Sequence, residues 1–551
     1  MARPATKTLH LQSALPQHLE LVRLQQGIQR HMQAEVRAHL GDNPPALERY
    51  YRDYLRDLRR PHRASSYGEM HQAMLEADLV LIGDYHTLRQ SQEAARRLLE
   101  RAALDARPVC LALEMVHAEQ QPQLDAFLRG DLLEGEFLDA IRYRQNWNFA
   151  WRHYRPLLQA AHRLGIPVVG INHSAAGDGI RGRDARIADS VLEVRRAHPE
   201  HRILVLVGDM HLASNHLPAA LDRRAEESGV AAGRRLIVYQ NSDALYWDLA
   251  AEGAEVATQV VRMGPGRFCV MEVPPFVKLQ SYLGWEREQE EFAAAWSGDG
   301  SELTSAAVVE HLVAQLAAFL SLPAVDGACD VYTNLDDAFF EALAAAEDLG
   351  EERAREIRIL AFSNRSCTVP ELNLVYLPYL SVHHAAEEAM HLLLARVAGD
   401  SPAADARAER FYARVLWAAL GYAASKIVNG RRETPGEAAF RAFLRSASRE
   451  LQQPELAFRK LVARFVVQHK DHEHARRRGR RGRLQQIYQQ QLEIELEVTQ
   501  ALGYMLGEGL AAAVRRGDLG RAALRALVLD PTGGACERRY FDLADQLHAK
   551  T

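Results

Sequence analysis

Short apolar runs alternate with longer amphipathic stretches between residues 72 and 250. Each run is rich in β-branched residues and has the length of a strand, while the stretches between them carry apolar residues at helical spacing. This β-α-β-α order predicts a mostly parallel sheet with helices on its faces. The predicted strands are 79–82, 109–113, 166–171, 203–207 and 235–239, and the predicted helices are 89–104, 118–129, 149–164, 184–197 and 212–228.

Four of these runs lead directly into polar side chains that can bind metals or transfer protons. All strands of a parallel sheet run the same way, so these endings share the carboxyl edge, where open α/β sheets hold their ligands. We therefore expect one site at that edge. Its candidate residues are Asp84, His86, Glu114, Asn172, Asp209 and His211.

Two of the endings share the form Gly-Asp-x-His, at 83–86 and 208–211. With 35 Gly and 23 His in the chain, about one or two Gly-x-x-His strings are expected by chance, so the position after a strand is what counts. The string at 68–71 has no such position and is treated as a chance match. Glycine lets the chain turn off the strand, and the aspartate can orient the imidazole.

His86, Glu114 and His211 would together supply two imidazoles and a carboxylate. That set suits zinc, manganese or iron with one position left for water. A metal-bound water could attack an ester or amide, with Asp84, Glu114 and Asp209 as the catalytic candidates. The alternative is structural, because a strand-end histidine is often a satisfied turn residue and Glu114 could cap a following helix.

The densest aromatic cluster of the chain precedes and enters the predicted helix 149–164. It could form a flat apolar wall for haem or another planar ligand, with a tyrosine oxygen on the iron and Asn172 as a further contact. The alternative is that its helical spacing reflects packing on the sheet. The cluster consists of Tyr143, Trp147, Phe149, Trp151 and Tyr154.

Several pieces of the segment 79–216 match a known family in order, spacing and residue type. They are Gly83-Asp84-Tyr85-His86 with Gln90 and Gln92, Leu111-Ala112-Leu113-Glu114-Met115, Gln121, Leu124-Asp125, Leu128-Arg129-Gly130, Trp147, Trp151, Tyr154-Arg155-Pro156-Leu157, Gly165-Ile166-Pro167-Val168, Asn172 and Gly208-Asp209-Met210-His211. The segment resembles the ChaN-like haem-binding uptake proteins of the Tiki superfamily, which also includes erythromycin esterases and Tiki-type metalloproteases.

The resemblance implies an α/β fold with a polar pocket at His86, Glu114 and His211, and it implies haem or iron as a ligand. Asp84 departs from the family, which usually has a glutamate after this glycine. The shorter side chain puts an esterase-like general base in question, and the fold carries over more directly than the activity.

The remaining sequence predicts three further regions. Residues 1–70 read as a helical lead-in to the α/β domain, which we place at 71–290. A small α/β element follows at 291–400, and a helical domain at 401–551. The predicted strands of the small element are 329–333, 357–362 and 373–378, with a helix at 336–346.

A second candidate metal site lies in the helix-patterned segment after residue 382. His384, Glu388 and His391 repeat at four and three residues and so share one helix face. Glu388 and His391 have the Glu-x-x-His spacing of carboxylate-bridged di-iron bundles, but no matching partner helix is evident. The alternative is packing, or a contact with the first domain.

The composition of the chain limits the kinds of partner that we expect it to bind. Apolar residues make up 48% and charged residues 25% of the 551 residues, and the net charge is −5. We therefore expect neither nucleic acid nor a membrane as a partner, and we read the basic run 476–483 as a solvated surface. Five scattered cysteines and the lack of a hydrophobic leader predict a reduced, cytoplasmic protein without a lipid anchor.

Three functions stay open. The first is a protein that binds a small molecule or peptide through a metal or haem in the strand-end pocket, which would be an enzyme if it hydrolyses amide or ester bonds. The second is a non-enzymatic haem or iron carrier. The third is an interaction protein that works through its helical C-terminal half, and a homodimer is compatible with all three. No P-loop or Gly-x-Ser-x-Gly string is present, which disfavours nucleotide-dependent and serine hydrolase chemistry.

Overall fold

The computed structural model describes two compact units. The α/β unit contains the described residues from 32 to 297, and the helical unit contains those up to 31 and from 305 onward. The predicted four-part division at residues 70, 290 and 400 stays a prediction. The described residues are 16–40, 45–59, 62–174, 179–297, 305–323, 325, 328–333, 337–346, 349–399, 406–446, 454–480 and 487–549.

A sheet of eight strands forms the centre of the α/β unit. From one edge to the other the strands lie in the order β1-β7-β8-β6-β2-β5-β3-β4. The six strands from β8 to β4 are parallel to one another, while β7 is antiparallel to both β1 and β8. The strands are β1 (Arg63–Ser65), β2 (Leu79–Asp84), β3 (Val109–His117), β4 (Val168–Asn172), β5 (Arg202–Gly208), β6 (Arg235–Gln240), β7 (Val260–Gly264) and β8 (Arg267–Val270).

The mixed α/β fold class is confirmed, and all five predicted strands are present. Every residue of β2 and β5 is buried, as expected for strands covered on both faces. One strand end differs from the prediction, because β3 continues to His117 and Glu114 lies inside it. The pairing of β3 with β4 shifts register between Leu113 and His117, so Glu114 sits at an irregularity of the strand.

Helices cover the sheet. In α4 the buried residues Ala94, Ala95, Leu98, Leu99 and Ala102 repeat at helical spacing, which places one apolar face on the sheet. The helices of this unit are α2 (Pro45–Leu58), α3 (Tyr67–Leu75), α4 (Arg89–Ala102), α5 (Gln121–Arg129), α6 (Glu134–Ala140), α7 (Tyr143–Asn146), α8 (Trp151–Arg163), α9 (Gly179–Ala197), α10 (Leu217–Ser228), α11 (Asp243–Ala251) and α12 (Pro275–Ser297). A short 3-10 helix, Asp209–Leu212, follows β5 directly.

The helical unit contains a small three-stranded sheet of β9 (Asp330–Thr333), β10 (Cys367–Val369) and β11 (Leu374–Leu377), in the order β10-β11-β9. The predicted strand 357–362 is wrong, because these residues belong to the helix Glu351–Phe362. Its buried residues Ala354, Ile357 and Ala361 lie three and four residues apart, so the apolar run is one face of a helix.

Helices make up most of the rest of this unit. They are α13 (Ser305–Phe319), α14 (Asp337–Ala345), α15 (Glu351–Phe362), α16 (Val382–Ala398), α17 (Arg407–Val428), α18 (Glu437–Ser446), α19 (Pro454–Arg477), α20 (Leu492–Arg516), α21 (Arg521–Leu529) and α22 (Cys536–His548). The first helix, α1 (Pro16–Leu40), has residues in both units. Residues 481–483 of the basic run lie outside the described residues.

Two glycines let α17 and α20 approach closely. A Cβ on Gly503 would lie 2.7 Å from the Val415 carbonyl, and one on Gly507 would collide with the Ala419 carbonyl. The two helices therefore pack backbone to backbone. Among the described helices of the chain, none combines the length and the apolar character needed to cross a membrane.

Candidate functional site

Strand register brings the two Gly-Asp-x-His strings side by side. In the parallel pair β2 and β5, Asp84 is the register partner of Gly208. The rings of His86 and His211 both lie against Gly208, because a Cβ there would be 3.2 Å from His86 Nε2 and 3.4 Å from His211 Cδ2. The two histidines therefore meet at the carboxyl edge of the sheet.

Asp84 holds His86 from behind. The Nδ1 atom of His86 lies 2.9 Å from Asp84 Oδ2, and the same oxygen accepts a 2.7 Å hydrogen bond from the Tyr154 hydroxyl. The side-chain amide of Gln92 donates to Asp84 Oδ1. With its carboxylate held on both oxygens, Asp84 fixes the Nδ1–H tautomer of His86 and leaves Nε2 available for a ligand or a proton.

His86 lies in an aromatic surround that is open on one side. Its ring centroid is 4.6 Å from that of Trp147 and 4.7 Å from that of Phe149, and 23% of its side chain is exposed. Burial works against the charged imidazole, but the negative charges of Asp84 and Glu114 outweigh it and raise the pKa of His86. A ligand in this opening would meet the edge of an imidazole framed by two aromatic rings.

Glu114 is buried and fully engaged. Its Oε2 accepts a 2.7 Å hydrogen bond from the Gly208 amide, and its Oε1 lies 2.8 Å from an Arg183 guanidinium nitrogen and 3.5 Å from His211 Nε2. Burial would raise the pKa of Glu114, but His211 and Arg183 outweigh it and hold this pKa below its usual range. Glu114 is therefore a fixed anion that fastens β3 to β5.

His211 lies between two carboxylates. On the side away from Glu114, its Nδ1 is 2.6 Å from Asp184 Oδ1 and 2.9 Å from the Tyr50 hydroxyl, which itself donates to Asp184. Burial opposes protonation, yet Glu114 and Asp184 outweigh it and raise the pKa of His211 to about 9. His211 is thus a buried imidazolium at neutral pH rather than a free metal ligand.

Asp209 occupies the space that Gly83 leaves. A Cβ on Gly83 would collide with Asp209 Oδ1, and this buried oxygen has no hydrogen-bond partner. Burial raises the pKa of Asp209 to about 7; the charge of Asp84 adds to this, while the Lys278 ammonium opposes it. Lys278 itself pairs with Asp243 at 2.7 Å and lies over the Tyr85 ring. Asp209 is therefore poised to gain or lose a proton near neutral pH.

The aromatic cluster is divided between core and site. Tyr143 and Trp151 pack edge to face within the hydrophobic core, with centroids 5.6 Å apart. The Tyr154 hydroxyl donates its hydrogen bond to Asp84. Burial also raises the pKa of Tyr154 well above the usual value, so the side chain stays a neutral phenol rather than a phenolate. Two of the proposed cofactor residues contact His86: Trp147 packs against its ring, and the Tyr154 hydroxyl lies 3.5 Å from Nδ1. Phe149 from the same cluster also packs against the ring.

Asn172 is the last residue of β4 and is buried. Its side-chain oxygen accepts a 3.0 Å hydrogen bond from the amide of His173. His173 in turn uses both ring nitrogens, towards Glu119 and Ser190. The polar groups at this strand end are therefore engaged within the protein.

The predicted metal ligands do not form a metal site as they stand. No group of three or more His, Cys, Asp or Glu side chains among the described residues has an arrangement that could hold a metal ion. In the α/β unit, Glu114 is bound to Arg183 and His211 is protonated between carboxylates, so two of the three candidate ligands are already occupied.

The same holds for the second candidate site, in the helical unit. Glu388 and His391 pair directly, with Oε2 3.0 Å from Nδ1, while the His384 ring packs on Tyr379 at 5.2 Å. The remaining nitrogen of His391 lies 3.3 Å from the Trp417 carbonyl. With both nitrogens of His391 engaged, the shared helix face does not act as a set of metal ligands.

Sequence reasoning missed most of the groups that surround the two histidines and Asp209. Arg183 and Asp184 reach the site from α9, Tyr50 from α2 and Lys278 from α12. None of them follows a strand, so the strand-end signal could not find them. Gln92 was the exception, because it belongs to the pieces that matched the family.

The fold and the site together define an α/β protein with a histidine–carboxylate pocket at the carboxyl edge of a parallel sheet. A family model described as "Haem-binding uptake, Tiki superfamily, ChaN" matches residues 70–176, which confirms the ChaN-like resemblance for that segment. The chain is also similar to a solved structure titled "Cofacial heme binding to ChaN of Campylobacter jejuni", at 14% identity over 33% of this chain and 88% of that chain, with a TM-score of 0.27. No curated protein matches.

Proposed function

We propose that the α/β unit binds haem at the carboxyl edge of its sheet, with His86 Nε2 as the protein ligand to the iron. The observation that carries this proposal is the Asp84–His86 pair, in which a buried carboxylate holds Nδ1 of a partly exposed ring and no described residue hydrogen-bonds to Nε2. A carboxylate behind a metal-binding histidine orients the ring and increases its basicity. The description of the matching family, which names haem, agrees with this choice.

The residues around His86 fit a flat aromatic ligand. Trp147 and Phe149 frame the imidazole, and Trp285 of α12 extends this surface, with its ring centroid 5.2 Å from that of Phe149. Haem pockets combine an apolar lining with one iron ligand from the protein. His86 suits that role better than a tyrosine, because Tyr154 donates to Asp84 and burial raises the pKa of Tyr143 well above its usual value.

Bound haem would supply an iron centre that could bind a further small ligand. The chain's own part is to orient His86 through Asp84, to exclude water with the aromatic surround, and to keep the Glu114–His211 pair charged beneath it. With these groups the unit could bind haem as a carrier or sensor, and this role does not require it to catalyse a reaction.

The test is a titration of the purified full-length chain with hemin, followed by absorbance in the Soret region. We expect a stoichiometric shift for the wild type and its loss in His86→Ala. His173→Ala is the matched control, because His173 is also a partly exposed strand-end histidine, with 24% of its side chain exposed, but has both nitrogens engaged. The proposal fails if both variants bind hemin equally, or if the wild type does not bind it.

A second candidate function is hydrolysis of an ester or amide, and Asp209 is the observation that favours it. Its Oδ1 is buried without a partner next to the Asp84–His86 pair, and its pKa of about 7 suits a general acid or base. A panel of nitrophenyl esters and amides would test it. Activity that falls in Asp209→Asn and in His86→Ala, without added hemin, would support hydrolysis, and no turnover by the wild type would end it.

A further inference from the structure

The helical unit contains a cavity of about 380 Å³ that the proposed function does not use. Its walls come from α15, β10, α16, α17 and α20, all within this one unit. The volume lies in the range of small-molecule sites, which run from about 300 to 1,000 Å³. Apolar surface from Leu360, Trp417 and Leu496 lines part of it, and charged side chains line the rest.

One wall of this cavity contains the His391–Glu388 ion pair, in which His391 is positively charged. His391 has Nδ1 3.0 Å from Glu388 and Nε2 3.3 Å from the Trp417 carbonyl, and a carbonyl can only accept. Both ring nitrogens therefore donate, which makes the ring an imidazolium. Gly421 admits it, because a Cβ there would collide with Nε2. Burial opposes this charge, but Glu388 outweighs it and raises the pKa of His391.

The carboxylates of this wall have their partners within the protein. Glu388 accepts from Ser366 at 2.7 Å and from Thr368 at 2.8 Å, in addition to His391. Glu387 accepts from the Tyr504 hydroxyl at 2.7 Å and pairs with Arg432 at 2.8 Å. A cationic ligand would have to displace these donors.

Arg365 and Arg414 have more N–H groups than hydrogen bonds. Arg353, Arg365, Arg410 and Arg414 all line it, and a guanidinium carries five N–H groups. Arg365 lies 3.2 Å from Glu497 through one terminal nitrogen, while its buried Nε has no partner. Arg414 contacts Glu356 only at 3.3 and 3.4 Å, with a shorter contact to Glu495 at 2.5 Å. Arg414 therefore uses three of its five N–H groups, whereas Arg365 keeps a buried N–H without a partner. Guanidinium N–H groups that remain available beside an imidazolium are suited to an oxyanion.

We propose that this cavity binds a small organic oxyanion, a carboxylate or phosphate compound with an apolar part, through the guanidiniums of Arg365 and Arg414. The apolar part would lie against Trp417 and Leu360. This site is separate from the haem pocket and does not depend on the function proposed for it.

The experiment is calorimetric titration of the full-length chain with inorganic phosphate and, separately, with citrate, in chloride buffers of matched ionic strength. We expect at least one of the two to bind at one site per chain, and Arg365→Gln to weaken that binding at least about tenfold. Binding of phosphate alone assigns a phosphate ligand, and binding of citrate alone assigns a carboxylate ligand.

Arg477→Gln is the matched control for a lost buried ion pair. The side chain of Arg477 is 19% exposed, similar to the 16% of Arg365, and it pairs with Asp545. Arg477 does not line the cavity. If Arg365→Gln fails to fold, Ala413→Leu decides the matter, because it narrows the cavity and keeps every charge. The proposal is overturned if neither anion binds, if the cavity variants bind as the wild type does, or if the dication putrescine binds more tightly than either anion.

Discussion

Gly208 and His86 are neighbours across two parallel strands, and the absence of a side chain on Gly208 makes room for the His86 ring. A Cβ on Gly208 would lie 3.2 Å from His86 Nε2. The reverse relationship also holds, since Gly83 makes room for Asp209. Each glycine of the two Gly-Asp-x-His strings thus accommodates a side chain of the other string, which explains why the motif occurs twice in this sheet.

Gly208→Ala should therefore weaken hemin binding. The added methyl forces the His86 ring to move by a few tenths of an ångström, at a cost of about 1–3 kcal/mol for overpacking. We expect at least about a tenfold loss of hemin affinity in the Soret titration. Gly135→Ala is the control, because that helical glycine has nothing within 4 Å; equal affinities for the two variants would contradict the contact.

Asp84→Asn should keep the fold but alter the ligand properties of His86. The amide is nearly the same size as the carboxylate, yet it removes the negative charge that holds Nδ1–H. Loss of such a group behind a metal ligand costs about 10- to 100-fold in affinity. Hemin affinity and the reduction potential of the bound iron are the measurements, and unchanged values for both would show that Asp84 does not act through His86.

Asp209→Asn should stabilise the protein at alkaline pH. The pKa of Asp209 is about 7 in the folded protein, against a reference value of 3.8. The unfolded chain therefore releases the Asp209 proton at a lower pH than the folded protein does, so the wild type loses stability as the pH rises from 3.8 to 7. The variant has no such loss, so above pH 7 it should be more stable by a few kcal/mol, to order of magnitude. Calorimetric unfolding of both proteins at pH 5 and pH 8.5 measures the difference. A difference that does not grow with pH would argue against the raised pKa.

His211→Ala should be among the most damaging single changes in the α/β unit. It leaves Glu114 and Asp184 buried without their shared cation, and breaking a buried ion pair costs about 3–5 kcal/mol. The folded pKa of about 9 exceeds the reference value of 6.5. The contribution of His211 is thus complete below pH 6.5 and is lost as the pH rises through 9.

The pH series of melting temperatures for the wild type and for His211→Ala measures this contribution. The two proteins should differ most at pH 6 and less at pH 9.5. A constant difference would mean that His211 contributes by packing alone. His173→Ala serves again as a control, because its histidine follows β4, two strands away from β5, and lies outside this charge network.

The fold was largely predictable, because apolar runs with helical stretches between them leave few topologies. The strands missed are β1, β7 and β8 of the large sheet and β10 of the small one. They are short, or they lie on the antiparallel side of the large sheet, where the βα alternation ends. The segment 357–362 was misread as a strand because six residues are too few to separate an apolar helix face from a strand. Strand β3 continues beyond its apolar run to include Glu114, because a carboxylate that is paired with Arg183 can be buried inside the strand.

The site was predictable only in part. Strand direction alone brings His86 and His211 to one edge, but it carries no information about which charges surround them. Arg183 and Asp184 turn Glu114 and His211 into a closed ion-pair network, and no spacing in the chain signals that contact. The metal ligands were inferred from residue types alone. Whether a nitrogen or oxygen of these side chains is free to bind a metal depends on hydrogen-bond and ion-pair partners that lie far away in the sequence.

The sequence by itself determined the parallel sheet, the edge at which the polar residues collect, and the ChaN-like character of residues 70–176. These follow from local periodicity and from the single direction of parallel strands. Only the tertiary structure decided that Asp84 leaves His86 free on one side, while Glu114 and Asp184 close His211 on both sides. The reason is physical: the charge and the open side of a buried imidazole depend on desolvation and on neighbours from other elements, which the order of residues does not specify.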